Sequence, residues 1–307
     1  MNMLEVRNEE KKIKDLPLLL FDLQNVILTP YANISSLFYL RKLNVHNLTA
    51  YDTHTKQVFC ALCSEDLSGR AANDIANAFH KILTVLAEEN DINELITWSD
   101  SCVPQNRNSI ISNSVLHFLK DNPRVKSVTM KYSLPGHSFV QEVDSFHSNI
   151  EKTMNKTDLY SPIGLIVILR QVNPRHPYHV IQMRPDDFKD FQATSNILNY
   201  KIVPFTSFQV LKFSRTLYTV NFRTSHDNLE LENSANINFA ETYMRDSEKH
   251  IKQKKTPENC NLSVFHVTPK VQKAATEVGD QKERDIKTAF TFMPIQDREY
   301  YNTLLHF

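Results

Sequence analysis

Two short apolar runs constrain this chain more than any other feature: Leu18-Leu19-Leu20-Phe21, which ends on Asp22, and Leu95-Ile96-Thr97-Trp98, which ends at Ser99-Asp100. Runs of this length with little polar alternation read as strands buried on both faces, and such strands need helices above and below them. The intervening sequence supplies them. Val45 to Tyr51 and Gln57 to Leu62 are apolar-rich and separated by a turn, as in a hairpin. Between Ser68 and Glu89, Ile75, Ala78, Phe79, Ile82 and Leu86 fall at helical spacing. Asn108 to Leu119 repeats the pattern with Ile111, Val115 and Phe118 and stops at Asn122-Pro123. Val128, Met130 and Tyr132 alternate as in a strand. Ser138 to Gln141 then has the form of a capping box, and Phe139, Val143, Phe146 and Ile150 continue a helix from it.

The order is three strands, helix, strand, helix, strand, helix, which predicts an α/β core of the ribonuclease-H type over residues 16–156, a mixed sheet flanked by helices. A charged segment, 1–15, precedes it. Residues 157–224 carry further strand-like stretches, at Tyr178 to Met183, Tyr200 to Phe213 and Leu217 to Arg223, with a short helix at Pro185 to Phe191, and are expected to form a small α+β appendage. Polar and charged residues dominate 225–287, which predicts a disordered linker, and 288–307 is expected to dock back on the body.

Composition removes several functions. With four glycines in 307 residues, the Gly-rich loops of P-loop and dinucleotide-binding proteins are excluded, so no nucleotide cofactor is expected. Lys plus Arg and Asp plus Glu are both 35, so any contact with DNA must come from a local patch or a metal. Cys60, Cys63, Cys102 and Cys260 give no disulfide framework. The longest apolar stretch, Ile163 to Leu169, is strand-sized, and the N-terminus lacks a signal-peptide core. These features predict an intracellular protein, nuclear or cytoplasmic, without a membrane anchor. Cys60-Ala-Leu-Cys63 has the spacing of a zinc knuckle, but strand alternation sends the two thiols to opposite faces. Phe21 to Ile27 is like the first motif of haloacid-dehalogenase-like phosphatases, yet Gln24 stands where that chemistry needs a second aspartate.

Asp22 and Asp100, at the carboxyl ends of two neighbouring parallel strands, would converge. Asp144 lies near the start of the next helix, with His147 and Glu151 three and seven positions further along its face. Carboxylates so arranged suit Mg²⁺ or Mn²⁺, and two such ions can activate a nucleophile and stabilise the leaving oxygen of a phosphodiester. The expected ligands are therefore Asp22, Asp100 and Asp144, with Glu151 the weaker alternative for the third. Gln105, Asn106, His137 and His147 are the polar residues expected nearby.

Several stretches carry a resemblance: Phe21-Asp-Leu-Gln24, Phe38 to Leu43, Trp98-Ser-Asp-Ser-Cys102 with Gln105-Asn-Arg-Asn108, Pro135-Gly-His-Ser138, Asp144-Ser-Phe-His147 and Ile150-Glu151. Together with Tyr178 to Phe191, Val203 to Ser214 and Phe292 to Tyr301, they resemble an uncharacterised, transposon-associated domain family of arthropod and other animal proteins, similar to DDE/DDD transposase cores. The resemblance implies Asp22, Asp100 and Asp144 as the acidic triad of a retroviral-integrase-like fold. Two departures stand out. Cys102-Val103-Pro104 replaces the family's Cys, small residue, Gly before Gln105, which stiffens the loop beside Asp100. About fifteen residues precede the first strand, too few for the DNA-binding module that transposases carry. The sequence therefore leaves open whether the chain is an enzyme. One reading is a transposable-element-derived core performing metal-dependent phosphodiester cleavage or strand transfer on DNA. The other is a catalytically silent, host-adopted or relic protein that binds a protein or nucleic-acid partner or forms an oligomer. Hydrolysis of small phosphate esters is a third reading and requires a closed pocket.

Overall fold

A computed structural model describes residues 3–13, 16–134, 141–215, 219–227, 232–237, 268–271 and 278–305. The chain opens with helix α1 (Met3–Glu10) and strand β1 (Leu18–Leu23), followed by β2 (Ile27–Thr29), the short α2 (Ser35–Phe38), β3 (Leu43–Asp52) and β4 (Val58–Ser64). Next come α3 (Ala72–Glu89), β5 (Glu94–Ser99), α4 (Ser109–Asp121), β6 (Ser127–Tyr132), α5 (Gln141–Met154) and α6 (Pro162–Gln171). The remainder supplies β7 (His179–Gln182), α7 (Phe191–Ser195), β8 (Val210–Ser214), β9 (Thr219–Arg223), β10 (Asn233–Asn236), α8 (Asp280–Ala289) and α9 (Ile295–Leu304).

All ten strands belong to one mixed sheet, in the order β10-β9-β8-β6-β5-β1-β3-β4-β7, with β2 paired to β3. β1, β3 and β4 are antiparallel neighbours, whereas β5 runs parallel to β1 and β6 parallel to β5. Alternation along β1 divides the core. Leu19 and Phe21 face α3 and α4, where Phe21 stacks on Phe79 with ring centroids 4.3 Å apart. Leu18 and Leu20 face the other way and pack with Trp98, Val143 of α5, and Met3 and Val6 of α1. Asp22 continues this second face by strand periodicity, so the acid lies on the side covered by α5 and α1.

The two cysteines of the CxxC pair fall on opposite faces of β4, Cys63 in the core beneath α3 and Cys60 in the core beneath α5 and α6. Burial pushes both thiols up to about 12, which keeps them protonated at physiological pH.

Three expectations differ from the structure, and one stretch given no element from sequence is a helix. Ile163 to Leu169, given no element from sequence, forms most of helix α6: Ser161 caps it by accepting from the Gly164 amide, and Pro162 occupies the first turn. Tyr200 to Phe213 is a strand only from Val210; a 3₁₀ turn at Tyr200–Ile202 and Pro204 break the earlier part. The strands of residues 157–224 are not set apart but extend the main sheet, β7 against β4 and β8 against β6. The physical reason is the two sheet edges, whose unpaired amides and carbonyls β7 and β8 satisfy. Within the expected linker, β10 and most of α8 are ordered elements, whereas 228–231, 238–267 and 272–277 lie outside the described residues. At the C-terminus, Ile286, Met293, Tyr301 and Leu305 pack with Leu37 and Leu43, and the Tyr301 hydroxyl donates to the Tyr160 carbonyl at 2.9 Å. No helix among the described residues is long and apolar enough to cross a membrane.

Candidate metal centre

β1 and β5 pair in parallel with Leu18 opposite Ile96 and Leu20 opposite Trp98. Continued two positions along the strands, this register sets Asp100 beside Asp22, because their sequence separation equals the strand offset. α5 crosses the same face, and Val143, fully buried against Leu18, Leu20 and Trp98, fixes its first turn. Helical spacing then presents Asp144 and His147 to the end of β1.

Asp22, Asp144 and His147 each offer a ligand atom within 4.8 Å of the other two. The His147 Nε2 is solvent-excluded and has no hydrogen-bond partner. Burial holds the imidazole well below its ordinary range, at about 4, so it is neutral at physiological pH with a lone pair to offer. Asp22 moves the other way, to about 7: burial is the largest cause, repulsion from Asp100 follows, and the Leu23 amide, which donates to Oδ1 at 2.9 Å, lowers it only in part before Asp144 raises it again. Among the described residues no cation is one of these influences on Asp22, whereas Asp144 is exposed to solvent. An imidazole nitrogen close to two carboxylates is a donor set suited to a divalent transition metal.

Asp100 takes a different part. Its repulsion on Asp22 exceeds that of Asp144, yet it does not join the set of atoms that lie mutually within 4.8 Å. The Asp100 carboxylate is engaged by its own loop: Oδ1 accepts from the buried Asn106 side-chain amide and, at 3.3 Å, from the Cys102 backbone amide. The Gln105-Asn-Arg-Asn108 motif thus builds this corner. Asn106 holds Asp100, Arg107 donates to the carbonyls of Phe208 at 3.0 Å and Thr206 at 3.2 Å, and Asn108 caps α4 by accepting from the Ile110 and Ile111 amides at 3.0 and 3.1 Å. Beside the acids, Asn47 Nδ2 donates to Gln24 at 2.9 Å and to Thr49 at 3.1 Å, forming a buried polar floor next to β1.

Of the expected site residues, Asp22 and Asp144 come together, and Asp100 flanks them. Glu151 is exposed on α5 and is not among the clustered ligand atoms, since the seventh position along the helix lies about 10 Å beyond Asp144. His137, with Pro135, Gly136 and Ser138, lies outside the described residues. Gln105 is half-buried in the turn that leads to α4. His147, expected only as a nearby polar residue, joins Asp22 and Asp144 as a candidate ligand. Its signal was the three-residue spacing from Asp144, but only packing of α5 on the sheet decides that the imidazole points inward.

Asp22, Asp100, Asp144 and His147 line none of the cavities of about 260, 180, 210 and 410 Å³ found among the described residues. The cluster is therefore not the floor of any of these pockets. No family model matches this chain, and no curated protein matches it. A solved structure described as the crystal structure of NurA aligns over 99% of this chain and 60% of its own length, at 8% identity and a TM-score of 0.17, too slight a likeness to carry any argument.

Proposed function

We propose that this chain has a ribonuclease-H-like core and is a divalent-metal-dependent enzyme of phosphodiester cleavage or strand transfer on DNA, of the DDE/DDD transposase type. The observation that carries the reading is the meeting of a carboxylate oxygen of Asp22, one of Asp144 and a ring nitrogen of His147 within 4.8 Å of one another. The strand order β6-β5-β1-β3-β4, with its antiparallel trio and two parallel additions, supports the fold assignment. Two carboxylates and an imidazole would hold the ion, and because nitrogen donors favour transition metals over Mg²⁺, Mn²⁺ is the preferred occupant. When bound, such an ion supplies Lewis-acid stabilisation of phosphate oxygens and lowers the pKa of a coordinated water. The protein's own part is to bring Asp22 and Asp144 together, to keep His147 neutral, and to set Asp100, through Asn106, as the carboxylate flanking the cluster; burial and Asp100 favour the protonated form of Asp22, which a bound cation would oppose.

The test is nicking of supercoiled DNA by purified protein in Mn²⁺. Wild type should nick, Asp22→Asn and Asp144→Asn should not, and Asp100→Ala should lose most of the rate. Equal nicking by all four proteins would remove the cluster from the chemistry. The silent alternative draws on one specific observation, the engagement of Asp100 by Asn106 and the Cys102 amide, which leaves that carboxylate fewer lone pairs for an ion. On that reading Mn²⁺ still binds, but no protein of the series nicks DNA.

A further inference from the structure

The first two turns of α5 carry Asp144 and His147, so whatever fixes those turns fixes the centre. Val143 meets the sheet, and its sequence neighbours lie about 100° to either side of it around the helix. Asp144 is on the flank toward Asp22. Glu142 is on the other flank, where it meets α1: Lys11 Nζ donates to Glu142 Oε1, and Arg7 Nη2 lies 3.4 Å from Oε2. Burial pushes the Glu142 carboxyl up, but Lys11 and Arg7 outweigh it and hold the group below the ordinary carboxylate range.

α1 is itself anchored to the strands beneath the site. Met3 and Val6 are buried against Leu18, Leu20, Trp98 and Val143. Glu10 accepts from Trp98 Nε1 at 2.8 Å and forms a buried ion pair with Lys131 of β6. The helix therefore bridges β5 and β6, on one side, to the ligand-bearing turn of α5 on the other.

Resting on the metal-site reading above, we infer that α1 is a positioning element for the centre, with Arg7 and Lys11 clamping Glu142 so that Asp144 and His147 stay registered on Asp22. The lever is short. At a side-chain radius of about 6 Å, a rotation of α5 by about 15° moves a ligand atom by roughly 1.5 Å. Metal–ligand distances tolerate only about 0.2 Å.

The discriminating variant is Arg7→Met with Lys11→Met in the full chain. Through space, loss of two positive charges near the site would tighten Mn²⁺ binding; loss of the clamp weakens it. The inference predicts that the Mn²⁺ dissociation constant, measured by calorimetry, rises about tenfold, that amides of residues 141–154 exchange faster with deuterium in metal-free protein, and that Lys11→Arg leaves both unchanged. Lys11→Met alone gives the same signs, more weakly, should the double variant fold poorly. Unchanged or tighter Mn²⁺ binding with unchanged α5 exchange overturns the inference. If wild type takes up no Mn²⁺, the metal-site reading fails and α5 exchange alone decides: faster exchange in the variant sustains the clamp, and equal exchange overturns it.

Discussion

Neutralising Asp22 should stabilise the metal-free protein while abolishing its metal binding. The carboxyl ordinarily titrates near 3.8 but is raised to about 7, chiefly by burial and then by Asp100. Between these two values the folded state keeps a proton that the unfolded chain has released, so stability falls as pH rises from about 4 to about 7 and then levels off. At about 1.4 kcal/mol per pH unit, the full penalty above pH 7 is roughly 4 kcal/mol. Relaxation and coupling to Asp100 reduce what is recovered, so Asp22→Asn should gain on the order of 1–3 kcal/mol at pH 8 in EDTA. At pH 5 most of the penalty is absent already, and the gain should shrink to below about 1 kcal/mol. Urea denaturation followed by the fluorescence of Trp98, the single tryptophan, measures both. Saturating Mn²⁺ should reverse the ranking, because it stabilises only the protein that binds it. If Asp22→Asn is destabilising at pH 8, or its effect is the same at both pH values, the uncompensated carboxylate does not exist as described.

Further outcomes follow from other contacts. Mn²⁺ affinity should fall about tenfold per pH unit below pH 7, as Asp22 takes up its proton, with His147 still neutral down to about pH 4; calorimetry between pH 5 and 8 checks this, and a flat profile contradicts it. Asn106→Ala removes a buried donor from Asp100 and should cost about 1–3 kcal/mol in urea titration. Glu10→Ala strands Lys131 and the Trp98 indole nitrogen in the interior and should cost about 3–5 kcal/mol; a loss below about 1 kcal/mol would mean that water reaches the pair. Cys60 and Cys63, raised to about 12, should react with an aromatic disulfide reagent at pH 8 only as fast as the protein opens, and immediate titration of both would contradict their burial.

What the sequence made legible was what local periodicity controls. Leu18 to Phe21 and Leu95 to Trp98 read as buried strands from their apolar runs, and they are parallel neighbours with Leu18 opposite Ile96; Asp100, expected to converge with Asp22, is not among the ligand atoms that lie mutually within 4.8 Å. The opposite facing of Cys60 and Cys63 followed from the same alternation. Less legible was what depends on partners far along the chain. Whether 157–224 stood apart or extended the sheet turned on the free edges of β4 and β6, which no local pattern announces. Ile163 to Leu169 is apolar on too many sides for its period to show, and only Ser161 and Pro162 before it mark a helix start. His147 was ambiguous for a related reason: three residues after Asp144 is equally the spacing of a solvated helix face, and the burial that orphans its ring nitrogen comes from packing on the sheet. The Gln105 to Asn108 motif was visible as a motif, but its work, holding Asp100 and capping α4, required the fold.

The most direct measurement of the central claim is anomalous scattering from Mn²⁺ in crystals of the protein grown at pH 8. The account predicts a peak at about 2.0–2.3 Å from a carboxylate oxygen of Asp22, one of Asp144 and a ring nitrogen of His147. Anomalous density at other surface carboxylates, with none among these three residues at saturating Mn²⁺, would contradict it.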